Sequence, residues 1–161
     1  MDENKAKESY EQAINKEIAK FDINPFVIDE NQRVLLAKRI SNVQYGNSWH
    51  MPGGKVFVNE RMPESLKRMT KMKTGLDIEL YFDDFNANVT GVYDDPARDP
   101  REHVIGITFL CKVVGGELTV GGNCSEVEFV SEEDSLNLET AFGHDYMLVD
   151  GFNFLRKNNL K

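Results

Sequence analysis

The side chains able to hold an anion or move a proton lie in a few short stretches of this chain. Arg98 and Arg101 stand in D-P-A-R-D-P-R beside Asp95 and Asp99, with Glu102 next. Two guanidinium forks so placed suit a clamp on a diphosphate, and equally a loop held by its own ion pairs. Lys73 is a compact charge of the kind that meets phosphate, and it also stands where a helix C-terminus favours a solvated lysine. Three histidines, His50, His103 and His144, are candidate acid–base groups. His50 neighbours the Gly53-Gly54 pair and is placed to contact a ligand. His103 starts a strand, and a histidine opening a helix, as His144 does, more often caps or packs. Cys124 offers a thiol nucleophile but no evident base beside it.

These groups need a scaffold, and the hydrophobic pattern supplies one. Residues 4–20 carry Ala6, Tyr10, Ala13, Ile14 and Ile18 at helical spacing, which predicts an amphipathic helix in an N-terminal segment spanning 1–20. Residues 24–30 and 33–40 read as two strands around an Asn-Gln turn, leaving Lys38 and Arg39 on opposite sides of the sheet. Gly46, Pro52, Gly53 and Gly54 mark the following stretch as a tight loop. Pro63 suits a helix's first turn, and that helix runs to about Lys73 and stops at Gly75. Met62, Leu66, Met69 and Lys73 share one stripe of it, so Lys73 continues an inward face; Met69 and Met72 read as packing. Residues 78–92 read mostly as strand around acidic turns. Val104–Val114 is the clearest strand, with Gly115-Gly116 as a hairpin turn after it, and 126–130 is another. Ser131 reads as a helix N-cap and 144–157 as a closing amphipathic helix. Strands interleaved with helices predict an α/β fold, a mixed sheet between helices.

Composition narrows the function classes. The chain has 161 residues, 40% of them hydrophobic, as one compact domain over 1–161 requires. With 27 acidic and 19 basic residues its net charge is -8, which argues against non-specific nucleic-acid binding but leaves room for a small anion. No apolar run reaches the ~18 residues of a bilayer span. The charged N-terminus and two unpatterned cysteines, Cys111 and Cys124, fit a cytoplasmic protein with reduced thiols.

Residues 54–76, G-K-V-F-V-N-E-R-M-P-E-S-L-K-R-M-T-K-M-K-T-G-L, resemble the Nudix box, G-x5-E-x7-R-E-U-x-E-E-x-G-U with U apolar. Gly54, Glu60, Arg68, Gly75 and Leu76 fall on their marks. N-S-W-H-M-P-G-G-K at 47–55 and R-V-L-L-A-K-R at 33–39 are similar to the family's lead-in, and A-F-G-H-D-Y-M-L-V-D at 141–150 to its closing helix. The resemblance implies a Nudix α/β/α sandwich, a nucleoside diphosphate derivative as ligand and, in active members, Mg2+. It further implies that Gly53, Gly54 and Arg39 cradle the phosphates, and that Arg68 braces the loop through Glu60. Many relatives dimerise, so a homodimer is also implied.

The box's metal-binding carboxylates are replaced by Met69, Met72 and Lys73. Thioether sulfur is a poor magnesium ligand. An ammonium 4 Å from a dication is repelled by roughly 4 kcal/mol per unit of ion charge at an effective dielectric of 20. No metal is expected at the box. The W-x-x-P-G-G turn and Arg68-Met69-Thr70 most resemble the GDP-mannose mannosyl hydrolases, whose metal glutamate falls at Lys73 and whose glutamine and base histidine fall at Asn123 and Cys124. The segment 91–110 leans instead toward ADP-ribose-type relatives. The expectation is a protein that recognises a nucleoside diphosphate derivative, a sugar nucleotide being one candidate, and hydrolyses it feebly or not at all. Two alternatives stand beside it. One is an active hydrolase whose metal has moved to Glu102, Glu126 or Glu128, or whose Lys73 replaces it, with Glu126, Cys124 or His50 as the catalytic group. The other is a protein-binding scaffold.

Overall fold

The computed structural model describes residues 18–160 together with Asp2, Asn4 and Lys5. The helix expected over 1–20 falls mostly outside these residues, and its end is corrected: Lys20 is already strand, paired with Val104. From Ile18 on, the described residues form eight strands, two longer α-helices and one short α-helix in mixed order, with a 3-10 turn at Phe85–Asn88. They are β1 (Lys20–Ile28), β2 (Val34–Arg39), β3 (Trp49–His50), β4 (Gly54–Lys55), α1 (Met62–Thr74), β5 (Leu76–Leu80), β6 (Val89–Tyr93), β7 (Val104–Gly116), β8 (Cys124–Val130), α2 (Glu132–Leu136) and α3 (His144–Lys157).

The sheet opens where a site is needed. β1 runs parallel to β7 over its whole length, from Lys20↔Val104 to Ile28↔Lys112. It meets β2 only at Ile28↔Val34, beside the turn where Gln32 takes a positive φ of 59°. From that point the two strands splay. β2 leaves with β8 and β3, pairing Lys38 with Glu126 and Ala37 with His50. β1 keeps β4, pairing Asp22 with Lys55 and Ile23 with Gly54. The start of β1 and the end of β2 therefore part, and β3, the Gly53-Gly54 turn and β4 enter the gap between them.

Alternation along β1 and β2 loads both faces of the sheet. Phe26, Ile28, Val34 and Leu36 join Met147, Leu148, Phe152 and Leu155 of α3 in one core. Ile23, Val27 and Leu35 join Leu66 of α1 and Phe109 in the other. Helix, mixed sheet and helix make the expected α/β/α sandwich. α1 begins with Pro at its first turns, and Glu64 accepts from the Arg61 amide. It ends at Gly75, whose φ of 75° needs glycine.

Two expectations need correction. Gly115-Gly116 is not a hairpin turn: both pair in the β5–β7 ladder, opposite Asp77 and Leu76. Glycines punctuate a chain only where no partner strand holds them. Met72 is not packing, being 50% exposed on α1. Among the described residues no helix is long and apolar enough to cross a membrane.

Candidate functional site

The gap between the splayed strands forms a cleft of about 220 Å³. Asp22 and Asn24 of β1 line one wall, Arg39 of β2 another, and the Gly53-Gly54 turn with Met69 and Lys73 of α1 a third. Phe142 and Arg101 reach it from the loops before α3 and β7. The glycines are required by close approach. A Cβ on Gly53 would lie 2.0 Å from the Ile23 carbonyl oxygen, and one on Gly54 would lie 2.5 Å from the Met69 methyl.

Lys73 is the cleft's central charge. The stripe that puts Leu66 into the core turns Lys73 inward, and it is only 6% exposed. Its Nζ donates to the Gly53 carbonyl oxygen at 2.7 Å. A second N–H reaches Nε2 of His50 at 3.4 Å. Burial lowers its pKa to about 8, against weaker help from the nearby Cys124 and Asp22.

Both buried histidines are neutral. Nδ1 of His50 donates to the Ala37 carbonyl oxygen at 2.8 Å, which leaves Nε2 as an acceptor facing Lys73. Burial, then the Lys73 charge, hold its pKa well below the usual imidazole value. His144 accepts the Met51 amide proton on Nδ1 at 2.9 Å, and burial lowers its pKa to about 3. His50 is thereby a supporting group for Lys73 rather than a free base. His103 lies just ahead of β7, its Nε2 3.0 Å from the Asp94 carbonyl oxygen.

Arg39 is buried, donates from Nε to the Gln44 carbonyl oxygen at 2.8 Å, and lies 5.0 Å from the Phe142 ring centre. Arg101 lies 4.7 Å from the same ring while its fork grips Asp99 at 3.0 and 2.8 Å. The cleft thus gathers Arg39, Lys73 and Arg101 around one aromatic ring and one carboxylate, Asp22. Burial raises the pKa of Asp22, against the Arg98 charge. Among the described residues neither Arg39 nor Lys73 makes an ion pair. Two buried cations without carboxylate partners make a cleft that favours an anion, whatever the net charge of the chain.

Arg98 does not line the cleft with them. Its side chain is 1% exposed, and its guanidinium donates to the carbonyl oxygens of Phe142 at 3.2 Å and Val104 at 2.9 Å. It ties the loop that carries Arg101 to the loop that carries Phe142.

The carboxylates considered as relocated metal ligands do not converge. Glu102 is held by Lys20 and by Lys55 at 2.8 Å, and Glu126 by Lys38 at 3.0 Å. Glu128 points outward from β8. Glu60 is occupied elsewhere, accepting from Arg68 Nε at 2.6 Å and Nη2 at 2.9 Å, and from the Phe57 amide at 3.1 Å. Arg68 hydrogen bonding lowers the Glu60 pKa to about 2. Arg68 also donates to the Lys55 carbonyl oxygen and stacks 3.8 Å from the Phe57 ring centre, so the pair braces the loop ahead of α1. Cys124 has Lys73 and Arg39 as its charged neighbours and no base; burial raises its thiol pKa. Among the described residues no three His, Cys, Asp or Glu side chains gather as a metal site. The Gly53 oxygen already accepts from an ammonium, and Met69 covers Gly54. These residues do not fit a divalent ion.

Sequence reasoning did not single out Asp22, Asn24 or Phe142. The one available signal was a polar pair, Asp22 and Asn24, at alternate positions of an otherwise apolar strand, which places both on one face.

Residues 22–150 match the family described as NUDIX domain. An ADP-ribose pyrophosphatase of Methanocaldococcus jannaschii is 37% identical over 125 residues, 77% of this chain and 68% of that protein. A mutT/nudix family protein from Listeria innocua superposes with a TM-score of 0.67 at 25% identity, covering 90% of this chain and 99% of the other. The NUDIX domain of Shewanella oneidensis NrtR, solved in complex with ADP ribose, gives a TM-score of 0.69 at 19% identity, covering 91% and 97%.

Proposed function

The chain belongs to the Nudix family, and from that premise we propose that its cleft binds a nucleoside diphosphate derivative of the ADP-ribose type and hydrolyses it weakly or not at all. The observation that carries this reading is the pair of buried cations, Arg39 and Lys73, which have no ion-pair partner among the described residues and line one cleft with Arg101. A diphosphate supplies the counter-charge that the protein withholds. Arg39 and Arg101 meet its oxygens with the guanidinium N–H groups that Gln44 and Asp99 leave free, and Lys73 adds a point charge at the Gly53-Gly54 turn. Phe142, already flanked by both guanidiniums, bounds the ligand on its open side.

Two relatives support this choice of ligand class. The Methanocaldococcus relative is an ADP-ribose pyrophosphatase, and the Shewanella domain was solved with ADP ribose. A sugar nucleotide of the GDP-mannose type is the next candidate, on the strength of the Trp49–Gly54 turn.

Weak turnover follows from what the cleft lacks. Nudix hydrolases generally use Mg2+, and Met69, Met72 and Lys73 cannot hold it. No evident base replaces the missing chemistry: His50 presents its lone pair to Lys73, and His144 presents its own to the Met51 amide. What remains is binding and charge neutralisation without activation of water.

The test is calorimetric titration with ADP-ribose and GDP-mannose beside a turnover assay for each. Binding with product formation near the uncatalysed background is the expected result. Brisk turnover overturns the weak-hydrolysis half, and absence of binding overturns the whole.

A further inference from the structure

We infer that the cleft accepts its diphosphate only as the free polyanion, so that magnesium in solution opposes binding instead of assisting it. This rests on the reading above and specifies the chemical form of the ligand. The Nζ of Lys73, 2.7 Å from the Gly53 carbonyl oxygen, occupies a seat that a cation bridging turn and diphosphate would need. That oxygen is already an acceptor, and a thioether, Met69, covers the neighbouring Gly54. Arg39 stands buried on another wall, without an ion-pair partner among the described residues.

The charge count decides the sign. A diphosphate diester carries two negative charges, which Lys73 and Arg39 neutralise by direct contact. Its magnesium complex is close to neutral and presents a dication to those same side chains. The complex gives up the attraction and gains repulsion, so the protein and magnesium compete for one anion. Magnesium demands oxygen ligands in near-octahedral array; the α1 wall offers it sulfur and an ammonium, and Asp22, the one carboxylate lining the cleft, already pairs with Arg98 and Asn24.

The experiment is isothermal titration of the full chain with ADP-ribose in EDTA and then in millimolar magnesium chloride. Sodium chloride matches the ionic strength, so that general screening cancels. Magnesium is expected to weaken binding by a factor of several, up to about tenfold if one charge-assisted contact is forfeited. In Lys73→Glu the sign reverses, because the ammonium gives way to an oxygen ligand, and in Lys73→Gln the magnesium effect shrinks. Circular dichroism confirms that each variant is folded, and the glutamine variant carries the test if the glutamate does not fold. Binding strengthened by magnesium, or unchanged at matched ionic strength, overturns the inference and leaves the proposed function standing. No binding in either buffer removes both.

Discussion

Nδ1 of His144 accepts the Met51 amide proton at 2.9 Å, which fastens the turn leading to Gly53 onto the first residue of α3. Two segments that each contribute to the cleft are held in register by one buried imidazole. That imidazole must be neutral to accept, and burial keeps its pKa at about 3. Replacing His144 by leucine leaves the Met51 N–H without its partner and is expected to cost about 1–3 kcal/mol. The pH dependence has a defined sign. In the unfolded chain the group titrates at 6.5, so between 6.5 and about 3 the unfolded state binds a proton that the folded state refuses. Stability is full above 6.5 and falls as the pH drops toward 3. Urea unfolding across that window reads the slope, which becomes shallower in His144→Leu; His50, shifted in the same direction, retains part of it.

The two glycines of the turn differ in what crowds them, and their alanine variants are expected to separate. At Gly53 the new methyl would meet backbone, the Ile23 carbonyl oxygen and Asn24 Cα, which β1 holds in its ladder. Overpacking against such atoms costs about 1–3 kcal/mol or more. At Gly54 the obstacle is the end of the flexible Met69 side chain, which swings aside at smaller cost. Thermal unfolding should rank Gly53→Ala well below Gly54→Ala. Adding Met69→Ala should relieve the crowding in the second and do nothing for the first.

These relationships mark where the sequence stops being legible. The helix over 62–74 and its stop at Gly75 follow from Pro63, the apolar stripe and the glycine, because those are local devices. The inward direction of Lys73 follows from the same stripe. The cleft itself depends on β1 and β2 parting after Ile28↔Val34, and a splay between strands leaves no mark in their composition. The fate of Arg98 is equally tertiary: one of its acceptors, the Phe142 carbonyl, is 44 residues away. Read locally, Arg98 and Arg101 are a matched pair; folded, one is buried and the other lines the cleft.

That division yields the next expectation. Arg98→Met strips two carbonyl oxygens, one buried and one part-buried, of this donor and loosens the loops bearing Arg101 and Phe142. A loss of about 1–3 kcal/mol in unfolding free energy should follow. Arg101 is 44% exposed while the Asp99 side chain it grips is 2% exposed, so the informative variant is Arg101→Lys, which keeps a cation beside that buried carboxylate, loses the fork, and should stay within about 1 kcal/mol of wild type. Its effect should appear in calorimetry as a roughly tenfold loss of ADP-ribose affinity. Equal effects of the two substitutions on stability would contradict the division of roles.

Lys73 links stability and binding with opposite signs, and alkaline titration separates them. Its pKa is about 8 in the folded protein against 10.5 when unfolded, so between those values the unfolded state holds the extra proton. The stability contributed by this group therefore rises with pH across that window, as a buried charge is discharged. Affinity runs the other way. The diphosphate needs the ammonium, so binding above pH 8 must draw a proton from solution, and the affinity falls by at most about tenfold per pH unit. Dissociation constants for ADP-ribose measured from neutral to alkaline pH should bend upward near 8. In Lys73→Arg the bend should vanish, because a guanidinium keeps its charge throughout. A bend that survives the arginine substitution would assign the titration to another group and detach Lys73 from the ligand.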